Sequence, residues 1–255
     1  MTPADSSTRR RRSAPVDIAV RNRILAALLA TEYKRLLPKL EHVTLTRGQV
    51  IYRADQDIED VYFPEEAVVA MVDRMDNGRS VEVGLIGREG MVGINVVLGG
   101  VVTPDKAVVQ LAGSAMRMKS KYLRKEMRFG SPLQRLLLAY ARAFLAVISQ
   151  SVACCQYHSI EQRLARWLLT INDYAGSREF AMDHKSIALM LGVRREGVTE
   201  AASRFQTAAL ISYRRGRISV LDTQGLGKRS CECYRFIRQQ YGRLYGDLPR
   251  LLSRK

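Results

Sequence analysis

The side chains best suited to do chemistry cluster in the last third of the chain. Arg194-Arg195-Glu196 opens a segment that continues through Thr199, Glu200, Ser203 and Arg204. A guanidinium can donate two hydrogen bonds to O6 and N7 of guanine, and a carboxylate can accept from N4 of cytosine. Each good bidentate contact of this kind discriminates between bases by about 1–3 kcal/mol. Arg195, Glu196, Thr199, Glu200 and Arg194 are therefore candidate base readers. Lys185, Ser203, Arg204 and the arginines of Arg214-Arg215-Gly216-Arg217 are candidate phosphate contacts. Such contacts orient a protein on a duplex without reading its sequence.

Two short helices must present those groups. Asp183 can cap a first helix whose inner face is Ile187, Ala188 and Leu191. Ala188 is small enough for another helix to cross close by, and Gly192 stands where a tight inter-helix turn needs positive φ. Val198, Ala202 and Phe205 give the second helix one buried stripe, which leaves its first turn exposed. That arrangement is a helix-turn-helix whose second helix enters the major groove by its N-terminal residues. Leu210–Tyr213 and Ile218–Leu221 flank the basic glycine turn as two alternating strands, predicting a β-hairpin wing.

Upstream, residues 43–118 carry short β-branched runs separated by turn signals, including Asp76-Asn77-Gly78, and predict antiparallel strands. Apolar residues at helical spacing over Ile18–Leu37 predict a helix or helix pair ended by Pro38. Ser131-Pro132 then starts a helix of roughly 25 residues. One stripe on it is Leu133, Leu137, Tyr140, Phe144, Val147, Ser151 and Cys154; an adjacent one is Leu138, Ala141, Leu145, Ile148, Val152 and Cys155. One stripe can lie on the β domain, and the other needs a partner, most simply the same helix of a second subunit. The stripe from Leu133 to Cys154 is taken as the dimer face. Ser159 and Gln162 are spaced as a capping box for the next helix.

The chain has 255 residues, 47% apolar and 26% charged, an ordinary globular balance. Its net charge of +16 is uneven: residues 36–116 hold 12 acidic and 7 basic side chains, whereas residues 176–255 hold 16 basic and 7 acidic. A basic C-terminal half favours a polyanion partner. Arg9–Arg12 lie in a polar segment, residues 1–16, that reads as a disordered basic arm with no apolar stretch after it, so no secretory signal is expected. No run approaches 18 uncharged apolar residues, which predicts no membrane span and a cytoplasmic protein. No nucleophile elbow, phosphate loop or His-Glu-x-x-His occurs, and the histidines number three; no enzymatic activity is expected.

The run Ile187-Ala188-x-x-Leu191-Gly192-x-x-Arg195-Glu196-x-Val198 resembles the DNA-reading signature of the CRP/FNR family of bacterial transcription regulators. The order of β domain, long helix and winged helix-turn-helix resembles that family over roughly residues 35–225. The resemblance implies an α+β fold: a jelly-roll-like antiparallel β-roll sensor domain with N-terminal helices (17–130), a dimerisation helix (131–157) and a winged helix-turn-helix (158–226). Residues 227–255 are expected to form a basic helical extension. It further implies a homodimer on a palindromic site in double-stranded DNA, RNA polymerase as a partner, and Arg195 and Glu196 as the main base readers. A further family arginine, one turn on, is replaced here by Glu200, so the preferred site should differ from the family's best-known one. A rival reading keeps the sensor and dimer and acts through a protein partner, on a small-molecule or redox signal, without reading DNA.

Nucleotide-binding members use Gly-Glu on the ribose and Arg-Ser or Arg-Thr on the phosphate. The matching residues are Gly93-Ile94 and Asp105-Lys106-Ala107, so cyclic AMP is not expected, although Gly93, Ile94 and Lys106 mark where an effector pocket would lie. No cysteine precedes Cys154, which argues against an N-terminal iron–sulfur cluster. Cys231-x-Cys233 is too tight for the usual zinc knuckle and has no partners nearby in sequence. Cys154, Cys155 and His158 at the hinge have the chemistry to bind metal or respond to oxidation, but free buried cysteines are the commoner case, so neither metal nor cofactor is expected.

Overall fold

The computed structural model describes residues 20–76 and 80–248. The arginine run at 9–12 and Asn77-Gly78 of the expected hairpin turn lie outside these residues. Two short helices, α1 (Arg23–Ala26) and α2 (Ala30–Leu36), lead into seven strands: β1 (Glu41–Leu45), β2 (Val50–Tyr52), β3 (Asp60–Pro64), β4 (Val68–Arg74), β5 (Ser80–Ile86), β6 (Lys106–Leu111) and β7 (Gly113–Lys119). They form antiparallel sheets ordered β1-β7-β3 and β2-β6-β4-β5. Both sheets bury β-branched residues such as Val61, Val68, Val69 and Val109 in one core. Helix α3 (Ser120–Glu126) then leads to α4 (Pro132–Tyr157). As its spacing predicts, Ser131 caps α4, accepting from Gln134 N at 3.1 Å.

Helix α5 (Ile160–Ala175) opens with the expected capping box between Ser159 and Gln162. After β8 (Glu179–Ala181) come α6 (His184–Leu191), α7 (Arg195–Thr207), β9 (Ile211–Arg214), β10 (Arg217–Val220), α8 (Thr223–Arg229) and α9 (Glu232–Gly246). Strands β8, β10 and β9 make a small antiparallel sheet. The mixed architecture of β domain, long helix and helix-turn-helix is the one read from the sequence.

The structure reverses which stripe of α4 is free. Leu133, Leu137, Tyr140, Phe144, Val147 and Cys154 are all buried within the chain, where α4 packs on β5 and α9. Tyr140 stacks on Phe144 and on Tyr241 of α9 at 5.8 and 6.4 Å. Ser151 is half-buried, its hydroxyl donating to Val147 O. It is Leu138, Leu145 and Val152 that stand exposed, by 43%, 55% and 62%. Helix α9, which no sequence pattern linked to α4, covers part of the first stripe and so decides the choice. Among the described residues α4 is also the one helix long and apolar enough to cross a membrane by length and composition. Arg135 and Arg142 interrupt it, and one face belongs to the protein core.

Glu89 is buried where α4, α5, α9 and the cap of α1 converge. Its Oε1 accepts from Gly87 N at 2.9 Å, and its other oxygen is buried without a partner. Burial pushes its carboxyl up to about 8, against the opposing pull of the Gly87 bond, Arg23 and Arg88. A carboxyl that holds its proton more tightly when folded favours folding most below about 4.5, and that contribution is lost as pH rises through about 8. Thermal unfolding followed across this window should show the midpoint falling as pH rises. Glu89→Gln, which keeps an acceptor for Gly87 N, should flatten the slope; an unchanged slope would remove Glu89 as its source.

Candidate nucleic-acid interface

Asp183 anchors the first helix of the pair: Oδ1 accepts from Ser186 N at 2.8 Å. That bond, with help from Arg47, holds the carboxyl below its ordinary range. Ile187, Ala188 and Leu191 are buried, and Gly192 ends α6 at φ +63°, the left-handed turn its position predicts. Arg163 of α5 donates to Leu191 O, satisfying a carbonyl at that helix end. Helix α7 begins one residue after Arg194 and buries Val198, Ala201, Ala202 and Phe205. A Cβ on Gly197 would lie 2.7 Å from Ile160 Cδ1, so a residue without one lets the start of α7 approach α5.

Arg194, Arg195, Glu196, Thr199, Glu200, Ser203 and Arg204 all lie on the exposed face, and Lys185 is exposed beside them. Their freedom differs. Arg204 pairs with Glu200 at 2.9 Å and reaches Glu161 at 3.7 Å, so the Glu200 carboxylate is partly neutralised on its own helix. Arg217 pairs with Glu179 at 2.6 Å across the wing sheet. Arg194, Arg195, Lys185, Arg214 and Arg215 form no ion pair among the described residues. The wing turn, Arg215-Gly216, has φ of +48° and +74°, both left-handed, which holds two adjacent arginines at its tip.

His184 belongs to this surface, although its spacing gave no hint of it. Its ring stacks on Tyr213 of the wing at 4.3 Å, and Nδ1 lies 3.0 Å from Thr199 Oγ1. The Thr199 hydroxyl donates to Arg195 O at 3.1 Å. Thr199 thus braces the first turn of α7 as well as facing outward. Burial first, then the charge of Arg195, lowers the His184 pKa, with Asp183 opposing.

The sensor block touches the same unit from behind. Arg47 donates to Asp183 at 3.2 Å and to Ser186 at 3.0 Å. Trp167 Nε1 donates to Glu82 of β5 at 3.2 Å, and burial pushes that carboxyl up to about 7 despite Trp167 and Arg166. Gly93 backs onto Val61 and Ile58, Ile94 is buried in the core, and Lys106 pairs in register with Val72. None of the three lines the cavities at the domain junction, whose walls include Arg21 and Arg88. Asp105 accepts from Thr103 Oγ1 at 3.2 Å, and burial raises its pKa.

The cysteines also depart from expectation. Cys154, His158, Cys231 and Cys233 meet, with every donor atom within 4.8 Å of the others. Their partners lie about 75 residues away in sequence, beyond the reach of any local spacing rule. The readable signal was a Cys-x-x-x-His pair at the end of one helix and Cys-x-Cys at the start of another.

Residues 162–229 match the Crp-like helix-turn-helix domain family. No curated protein matches the sequence. Among solved structures, FixK2 from Bradyrhizobium japonicum superposes with a TM-score of 0.64 at 19% identity, covering 75% of this chain and 98% of that one. A transcriptional regulator of the CRP family from Thermus thermophilus gives 0.60 at 18% identity, covering 74% and 96%. The c-di-GMP responsive global regulator CLP of Xanthomonas campestris gives 0.58 at 14%, covering 76% and 100%. The protein therefore carries a Crp-like helix-turn-helix domain on the fold of CRP/FNR transcription regulators, and the resemblance read from its sequence is borne out.

Because Gly192 sits in the left-handed region, a side chain there adds strain. Gly192→Ala should lower stability by about 1–2 kcal/mol in urea unfolding. A neutral result would mean the inter-helix turn relaxes without cost.

Proposed function

We propose that this protein is a cytoplasmic, sequence-specific DNA-binding transcription regulator of the CRP/FNR type that acts as a homodimer. The observation that carries the reading is the exposed first turn of α7, where Arg194, Arg195 and Glu196 project from a buried framework with no carboxylate partner on either arginine among the described residues. Arg195 and Glu196 read bases in the major groove, with Arg194, Thr199 and Glu200 at the margins. Lys185, Ser203, Arg214 and Arg215 touch phosphate. Arg204 and Arg217 contribute there only by giving up Glu200 and Glu179.

The partner subunit lies along α4. Leu138, Leu145 and Val152 recur every seven residues, with half-buried Ile148 and exposed Cys155 between them, a spacing that suits one seam of a two-stranded coiled coil; Ala141 of the same stripe is buried in the core. A two-fold pair sets two recognition helices about 34 Å apart, one helical turn of DNA. By family likeness the bound dimer works by recruiting or blocking RNA polymerase. The effector is not cyclic AMP: buried Ile94 offers no acceptor to a ribose hydroxyl, and Asp105 would repel a phosphate. No membrane is involved, since the apolar faces of α4 are committed to the core and to the partner.

Arg195→Ala should weaken binding to a selected site by about 1–3 kcal/mol relative to random DNA in a competition assay. Equal loss on both would reduce Arg195 to a phosphate contact. Leu145→Asp should shift the protein from dimer to monomer in sedimentation and abolish tight site binding. A dimer that survives this change would place the subunit interface elsewhere.

A further inference from the structure

The geometry points to a closed, tetrahedral metal site of the zinc class, formed by Cys154, His158, Cys231 and Cys233, that fastens the start of α9 to the end of α4. Cys154 and His158 stand one turn apart at the C-terminal end of α4, and Cys231 and Cys233 occupy the cap and first turn of α9. Cys154 Sγ lies 3.6 Å from Cys231 Sγ, and Cys233 Sγ lies 3.6 Å from His158 Nδ1. A tetrahedron with metal–sulfur bonds of about 2.3 Å and a metal–nitrogen bond of about 2.0 Å has edges of roughly 3.5–3.8 Å. These two separations match such edges, and all four donor atoms lie within 4.8 Å of one another. Both separations are far longer than the S–S bond of about 2.05 Å in a disulfide. A single thiol–thiol hydrogen bond would explain one of these distances, but not the convergence of four donors.

The surroundings fit a bound cation. All three sulfur residues are buried, by at least 95%. His158 Nε2 lies 3.2 Å from Glu232 Oε1, which leaves Nδ1 facing the sulfurs and gives the ring the carboxylate partner usual for a metal-bound imidazole. Gln150 Nε2 donates to Cys233 Sγ at 3.1 Å. The N-terminus of α9 favours negative sulfur at Cys231 and Cys233. Three thiolates and an imidazole select a borderline-soft ion and disfavour magnesium or calcium, whose ligands are oxygen. With four protein donors, no position is left open for substrate, so the role is structural.

The site's place in the fold defines what it holds. His158 and Ser159 form the joint between α4 and the DNA-binding unit. From the cluster, α9 runs back along α4 until Tyr241 stacks on Tyr140 and Tyr245 donates to Glu89 O. A metal at the cluster therefore pins that joint to a helix lying beyond the matched helix-turn-helix domain, and limits rotation of α5–α7 against α4.

The test uses the full-length reduced chain. Protein purified with zinc and freed of unbound ions should hold one equivalent per chain by mass spectrometric metal analysis. Cobalt added after chelation should produce the ligand-field and sulfur charge-transfer bands of a tetrahedral thiolate site. Cys155→Ser, outside the cluster, should keep both, and Cys231→Ser should lose them. Glu232→Gln, an exposed change that leaves the four ligands in place, should weaken metal affinity by about 10–100-fold. A folded, reduced chain that binds substoichiometric zinc and gives no such cobalt bands overturns the site. So does recovery of a Cys154–Cys231 disulfide from zinc-supplemented protein, or an unchanged cobalt spectrum in Cys231→Ser.

Discussion

A 26-residue helix with apolar side chains on more than half its circumference cannot be satisfied by one neighbour, and the molecule is arranged around that constraint. Helix α4 gives Leu133, Leu137, Tyr140, Phe144 and Val147 to the interior, between β5 and α9. What remains, Leu138, Leu145 and Val152, is a narrow seam at seven-residue spacing. Large apolar side chains in a continuous exposed row favour association, because their removal from water releases about 25 cal/mol per Å2. In the proposed dimer, a second copy of the same seam is the self-complementary solution and sets a two-fold axis along α4.

In that proposed dimer, everything downstream takes its position from the axis. Helix α5 leaves the end of α4 through the Ser159 capping box, and Arg163 holds the end of α6. Helix α7 is then fixed by Phe205 and Val198 from within and by Gly197 against Ile160. In the proposed dimer, rotation at the joint would change the separation of the two α7 helices. Three devices resist such rotation: Arg47 on Asp183 and Ser186, Trp167 on Glu82, and the Cys–His cluster with α9. All three involve ionisable side chains or the proposed metal ligands.

How far the sequence could be read depended on how local each cause was. The helix-turn-helix was legible because Asp183, Ala188, Gly192 and Val198 act within about fifteen residues of one another, through caps, turns and periodicity. Strand runs and the Ser131-Pro132 start were legible for the same reason. The free face of α4 was not, since both stripes are apolar and only the distant α9 settles which is covered. The Arg217–Glu179 pair and the longer Arg204–Glu161 contact also escaped, because those carboxylates come from other elements, whereas Glu200 and Arg204 are an i,i+4 pair that spacing alone could have given. So did the Cys–His cluster, which depends on two helix ends meeting in space.

The central claim is that a symmetric pair of α7 helices reads bases. Its most direct test is selection of bound sequences from a random duplex pool with the full-length protein. The account predicts enrichment of an inverted repeat with half-site centres about 10 base pairs apart, containing G·C pairs that Arg195 and Glu196 can contact. Recovery of no common sequence, or of a motif without two-fold symmetry, would contradict it.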